Sequence, residues 1–174
     1  MLGTMFAEQL RCADVMRSPA ARASPEHTVE AVARTMRDLG LGFLPVCDTT
    51  GRVLGIVTDR DITIRVCAEG RSPAETRVNA IMSRDVVCCR AEDPVTRAEE
   101  LMTCHLKLRL VVIDDEDRLT GIISLTDLAK CLQPTRAAAI LRQVSARGLR
   151  PVLRVPKHPN GMTARASHER DADR

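Results

Sequence analysis

The chain has 174 residues, 44% of them apolar, and a formal net charge of +3, a length that suits one domain or two small halves around a shared core. No stretch reaches the roughly 18 apolar residues of a membrane span, and Met1 to Gln9 lacks a basic n-region and meets Glu8 before an apolar run can form, so we expect neither insertion nor export, and a cytoplasmic protein. With no Trp, no Tyr and only Phe6 and Phe43 the core must be aliphatic, and seven cysteines in odd number, without Cys-x-x-Cys, predict reduced and mostly buried thiols.

Residues 1–11 form a lead-in, and the first predicted element is a short strand near Ala20 to Ala23. Val29, Val32, Ala33, Met36 and Leu39 then recur at helical spacing, and Gly40 and Gly42 stop that helix. A strand over 43–47, a turn at Asp48-Thr49-Thr50-Gly51, a strand over 53–57 and a helix from Asp59 to about Ala68 complete the first unit, 12–70. Gly70, Ser72 and Pro73 mark a linker, with 71–77 separating this unit from a second, 78–133. There a strand near Val86 to Cys89 precedes a helix through Val95, Ala98, Leu101 and Met102, with Asp93 as its N-cap and Pro94 as its first residue. Strands over 110–113 and 119–123 flank a turn at Asp114 to Asp117, and a helix starts at Leu125.

The C-terminal extension, 134–174, is helix-permissive from Arg136 to Arg147, then rich in proline and expected to be disordered beyond about Pro151. It carries nine basic against three acidic residues, whereas 12–133 carries 16 against 19. A basic tail can touch nucleic acid or an acidic partner; here it reads as a solvated terminal segment, and nucleic acid is not an expected partner.

The two units are one unit written twice. At a constant offset of 66 residues, Gly55-Ile56-Val57-Thr58-Asp59-Arg60-Asp61 returns as Gly121-Ile122-Ile123-Ser124-Leu125-Thr126-Asp127, and Met16 matches Met82, Leu44 matches Leu110 and Asp48 matches Asp114 with no gap. The duplication predicts an α+β fold of two β-α-β-β-α units packed about a pseudo-twofold axis, in which any site made by one copy has a counterpart in the other.

The chemistry sits where the last strand of each unit becomes its last helix. Thr58-x-x-Asp61 and Ser124-x-x-Asp127 fit a capping box, which satisfies the free N–H groups of a helix start. They also fit a binding site, because both follow Gly-Ile, where backbone can approach a ligand, and a strand end beside a helix start receives anions. The hydroxyl suits a phosphate, and the carboxylate suits the two vicinal hydroxyls of a ribose. Together they describe a ribonucleotide whose base, in the absence of Trp and Tyr, lies between aliphatic side chains.

The duplicated unit, with Gly-Ile-Val-Thr-x-x-Asp and Gly-Ile-Ile-Ser-x-x-Asp closing its copies and Phe43-Leu44-Pro45-Val46-Cys47-Asp48 and Leu110-Val111-Val112-Ile113-Asp114 before them, resembles a tandem cystathionine-β-synthase (CBS) domain pair, or Bateman module, over about Cys12 to Gln133. The resemblance implies an adenosyl ligand, AMP, ADP or ATP ahead of S-adenosylmethionine or NAD, in clefts between the repeats, and regulation of a partner protein. It also implies that Asp61 and Asp127 hold ribose hydroxyls and that Thr58 and Ser124 meet phosphate. Val86 and Val87 would lie opposite Thr58 and Asp61, and Ala20 and Ala21 opposite Ser124 and Asp127. Arg109 stands where the family often places a basic residue for phosphate; its counterpart is Phe43, so the first site would turn to Arg60 or be weaker.

No enzyme is expected. The scattered histidines and the adjoining Cys88 and Cys89, which point to opposite faces of a strand, offer no metal site, and Glu99-Glu100 reads as a solvated acidic pair. Two functions of different class remain: a stand-alone nucleotide-sensing regulator, and a dimerisation or interaction module whose clefts are empty. Both are expected to be homodimers, as the resemblance implies and because apolar positions such as Val29, Val32 and Met36 are too many for one face of a thin module to hide.

Overall fold

The computed structural model describes residues 10–145; the lead-in before Leu10 and the proline-rich end of the extension lie outside the described residues. A four-residue helix α1 (Cys12–Val15) comes first. The first repeat contributes α2 (Val29–Leu39), β1 (Phe43–Cys47), β2 (Val53–Thr58) and α3 (Asp59–Ile62), which widens into a π-type turn over Thr63–Cys67. The second contributes β3 (Cys88–Arg90), α4 (Val95–His105), β4 (Arg109–Ile113), β5 (Leu119–Ser124) and α5 (Leu125–Cys131). A final helix, α6 (Pro134–Ser145), follows.

Local sequence accounts for most of these boundaries. Thr28 caps α2 by accepting the N–H of Ala31, and Gly40 ends it at φ 64°, the left-handed conformation that glycine adopts without strain. The corresponding end of α4 has Leu106 at φ 52°, a side chain held where its Cβ is crowded. Asp48 makes its turn by accepting the N–H groups of Thr50 and Arg52 on one carboxylate oxygen, and Asp114 does the same for Glu116 and Arg118.

The pseudo-twofold axis can be read from single hydrogen bonds. Arg52 and Arg118, offset partners of each other, form an antiparallel bridge; Val53 N–H donates to Asp117 O and Leu119 N–H to Gly51 O, both at 3.0 Å. The 66-residue offset turns one of these bonds into the other, so the two hairpins meet along an isologous contact.

The segment that precedes each repeat belongs structurally to the other. Arg17 bridges Ile122, while Ser83, its offset partner, bridges Ile56. Val95 N–H donates to Leu10 O, and Val29 N–H to Thr76 O. Accordingly Cys12 is buried in the core of the second repeat, with Leu110, Ile123 and Leu128, whereas Val78 and Ile81 are buried in that of the first, with Leu44 and Val57.

Four expectations need correction. Near Ala20 to Ala23 there is no strand: only Ala23 bridges Val46, so β1 and β2 form a two-stranded sheet, while β3 runs parallel to β4 in a three-stranded one. Asp93 does not cap α4, because its carboxylate accepts the N–H of Arg90 at 2.7 Å and extended Pro94 precedes the helix. Val29, Val32 and Met36 are buried within the chain and offer no face to a second copy; among the described residues the large apolar side chains left exposed are Leu39, Leu41, Ile64, Leu108 and Leu141. Finally, the start of the basic extension is not solvated, for α6 buries Ile140 and Val144 against the second core, and Arg136 pairs with Glu99, which is buried as well.

Candidate functional site

Thr58 closes β2 and Ser124 closes β5, both in extended conformation, and a helix starts at the next residue. Each hydroxyl accepts the N–H three residues on, that of Asp61 at 3.1 Å and that of Asp127 at 3.2 Å. In return, Oδ2 of each aspartate accepts the N–H of the hydroxyl residue, at 3.0 Å from Thr58 and 3.1 Å from Ser124, which completes two capping boxes. The same Oδ2 takes the hydroxyl proton, from Thr58 at 2.6 Å and from Ser124 in a still shorter contact. One oxygen of each carboxylate, Oδ2, is therefore committed to the capping box.

The two Oδ1 atoms keep different company. That of Asp127 accepts Arg17 Nε at 3.0 Å, lies 2.9 Å from Arg17 Nη2 and receives Lys130 Nζ at 3.4 Å. That of Asp61 has Arg65 Nη1 at 3.6 Å, beyond hydrogen-bond length, and this guanidinium donates instead to Ile81 O and, at 3.4 Å, to Ser83 Oγ. Since Ser83 is the offset partner of Arg17, the second site has a cation where the first has a hydroxyl. The 66-residue repeat does not mark Arg17, whose partner is a serine, although Met16 and Met82 beside it are retained.

Burial opposes ionisation of Asp127, but the hydrogen bonds from Ser124 and Arg17 outweigh it and hold the carboxyl down at about 2. A carboxyl lowered in the folded state contributes stability above its unfolded pKa, near 3.9, and loses it as pH falls through the folded value. Parent protein is expected to lose about 2 kcal/mol more than Asp127→Asn between pH 4 and pH 2, as read by urea denaturation at each pH. Parallel profiles would show that Asp127 is not held as an ion pair.

The other expected residues are distributed as follows. Arg60 is exposed in the first turn of α3, and its side chain takes no partner among the described residues. Arg109 stands opposite Ser124 in the β4–β5 register, and its guanidinium lies 6.0 Å from the centre of the Phe43 ring, which itself stands opposite Thr58. Offset partners thus touch in a cation–π contact where the two sites approach each other. Val86 lines a depression of about 280 Å³ with Leu54, Cys88 and Ile113, while Val87 packs on the second core. Ala20 is half-buried and Ala21 packs on the first core; within 17–21 the side chain that reaches Asp127 is that of Arg17. Gly55 and Gly121 face no open cleft: a Cβ there meets Ser83 O at 2.8 Å or Met16 Sδ at 2.7 Å, so both glycines make room for the crossing segments. A groove of about 450 Å³ runs from Arg109, Ser124 and Thr126 along α5 to Ala137 and Leu141 of α6. No three His, Cys, Asp or Glu side chains gather in a metal-binding group among the described residues, and no described helix is long and apolar enough to cross a membrane.

Residues 12–67 and again 78–134 match the CBS domain. The chain belongs to the CBS domain family. The CBS domain-containing protein YhcV of Bacillus subtilis is 35% identical over 116 residues, covering 67% of this chain and 81% of YhcV. An uncharacterised protein of Methanopyrus kandleri, MK0525, is 31% identical over 127 residues, covering 73% of this chain; the chain spans 64% of that relative's length. Among solved structures, the CBS domain pair of protein MJ0100, in complex with 5′-methylthioadenosine and S-adenosylmethionine, is 23% identical, covers 70% of this chain and 94% of its own, and superposes with a TM-score of 0.62. At that identity it establishes the shared α+β fold of paired CBS repeats.

Proposed function

We propose that this protein is a cytoplasmic regulatory CBS pair that binds an adenosyl nucleotide at Thr58 and Asp61 and passes the bound state to a partner protein, with no chemistry of its own. The observation that carries the reading is Oδ1 of Asp61, which accepts no hydrogen bond among the described residues and has only the Arg65 guanidinium at 3.6 Å, while Oδ2 is used by the capping box. A ribose 2′,3′-diol supplies two donors for such an oxygen, and Thr58 and Arg60 supply a hydroxyl and a cation for phosphate. The fold neighbour solved with two adenosyl compounds is in keeping with this class of ligand. AMP, ADP and ATP come first, because S-adenosylmethionine brings a sulfonium and no phosphate to Arg60; NAD, whose pyrophosphate carries a second nucleoside, comes after.

The second cleft supports a different reading. Arg17 and Lys130 occupy Oδ1 of Asp127, so that this half acts as a closed interaction surface until Arg17 is displaced. A homodimer would use the exposed Leu39, Leu41, Ile64, Leu108 and Leu141 in place of the buried residues first considered.

A thermal-shift panel of AMP, ADP, ATP, NAD and S-adenosylmethionine tests the proposal, since a ligand at 100 times its Kd stabilises the native state by about 2.7 kcal/mol. Asp61→Ala is expected to weaken the best ligand at least tenfold, about 1.4 kcal/mol, and Arg17→Ala to add a second binding event at Asp127. If no adenosyl compound moves the parent's midpoint, the clefts are not nucleotide sites and the interaction-module reading stands.

A further inference from the structure

The seven cysteines are not equivalent. Cys67 and Cys104 are exposed, Cys88 and Cys131 half-buried, and Cys12, Cys47 and Cys89 buried. Two of the buried three belong together. Cys12 lies on α1, on the segment that crosses into the second repeat, and its backbone is pinned beside the loop after β3: Cys12 N–H donates to Asp93 O at 2.8 Å and Ala13 N–H to Ala91 O at 2.9 Å. Cys89 is the middle residue of β3, two positions before that loop, and is buried with Cys12 inside one core, where the Cys12 thiol donates to Pro94 O at 3.9 Å.

The internal duplication supplies a control for what this place in the fold requires. The offset partners of Cys12 and Cys89 are Val78 and Ala23, and both are buried in the first core. Packing at this position is met by a valine and an alanine, so two sulfurs side by side in the second repeat are not demanded by the fold. The two thiols also act on each other unequally, which lowers the thiol pKa of Cys12 and raises that of Cys89. Cys88, next in sequence, points to the other face, and burial pushes its thiol up to about 11, which leaves it a poor nucleophile.

We infer that Cys12 and Cys89 form a reversible disulfide on exposure to a hydroperoxide. The peroxide O–O bond breaks as one thiolate takes up oxygen, giving a sulfenic acid and releasing an alcohol or water. The second thiol then displaces the sulfenic oxygen as water and closes the S–S bond. Two thiols and one hydroperoxide thus yield one disulfide, one alcohol and one water. Access comes through α1, since four residues are too few to hold a helix without tertiary support. The bond would tie the crossing segment, and with it Met16 and Arg17, to the second repeat, and would close a loop around the whole first repeat. The inference does not rest on any nucleotide being bound.

The full-length protein is treated under native conditions with hydrogen peroxide, alkylated, digested with trypsin and mapped by mass. The expected product joins the peptide 12–17 to the peptide 85–90, lighter by two hydrogens, and is released by dithiothreitol. Cys88→Ser should retain it, whereas Cys12→Val and Cys89→Ala should abolish it; the last two install residues that the first repeat already accommodates. The oxidised parent should also melt at a higher temperature than the reduced one, a difference absent from both variants. Oxidation of the exposed Cys67 and Cys104 while Cys12 and Cys89 remain alkylatable after denaturation would overturn the assignment, as would a cross-link that persists in Cys89→Ala.

Discussion

Gly55→Ala is expected to destabilise the protein by about 2–3 kcal/mol, and Gly121→Ala by about 1 kcal/mol, although the two glycines are offset partners in the same strand position. At Gly55 the nearest atom to a new Cβ is the carbonyl oxygen of Ser83, at 2.8 Å, with Met82 Sδ at 3.0 Å. That oxygen accepts the N–H of Ile56 at 2.9 Å, and Ser83 N–H donates back to Ile56 O at 2.8 Å, so backbone can give way only by breaking the bridge that brings 78–83 onto the first repeat. At Gly121 the nearest atom is Met16 Sδ, at 2.7 Å, the end of an unbranched side chain, and the backbone oxygen of Arg17 stands off at 3.1 Å. Methionine can turn aside at modest cost. Urea denaturation of the two variants reads the difference; equal losses would mean that Met16 is as fixed as backbone. The adjustment at Gly121 moves the residue beside Arg17, so this variant should also loosen the grip on Asp127.

This asymmetry shows where the sequence stops being informative. The repeat, its gapless register and the Thr58/Asp61 and Ser124/Asp127 caps were all legible, because a 66-residue offset and helix-cap chemistry are local or periodic signals. What the offset cannot express is which copy a segment packs against. Met16 and Met82 align perfectly, yet each lies on the glycine of the other unit's strand, and the Gly-Ile pairs that suggested room for a ligand are filled by protein. The same limit hid Arg17, whose partner Ser83 differs in chemistry. It also hid the role of Glu99, since an acid pair on a helix looks solvated until α6, read as tail, is laid over it.

Removing the cation that covers Glu99 is the other change with a large expected effect. Glu99 is 6% exposed; one of its oxygens accepts Arg136 Nε at 2.6 Å, and the other is buried without a partner among the described residues. Burial pushes the Glu99 carboxyl up, and Arg136 only partly restores it. Arg136→Ala should therefore cost about 2–3 kcal/mol at neutral pH, somewhat less than the loss of a fully buried partner, because Arg136 is itself half-exposed. The sign of the pH dependence follows from the raised pKa. Folded protein holds the Glu99 proton to higher pH than unfolded protein, so the contribution of this group is fully present below its unfolded pKa and is lost as pH rises through the folded one. Without Arg136 the carboxyl rises further, and the variant should recover part of its loss between pH 7 and pH 5. Glu99→Gln in the same background should recover most of it at every pH, since a neutral amide need not carry a buried charge. A loss that neither acid nor Glu99→Gln relieves would instead place the role of Arg136 in the packing of its stem. The outcome reaches beyond stability because α6, anchored by this pair, is one wall of the groove that begins at Arg109 and Ser124; with the anchor gone, that end of the groove and the helix beside it should loosen together.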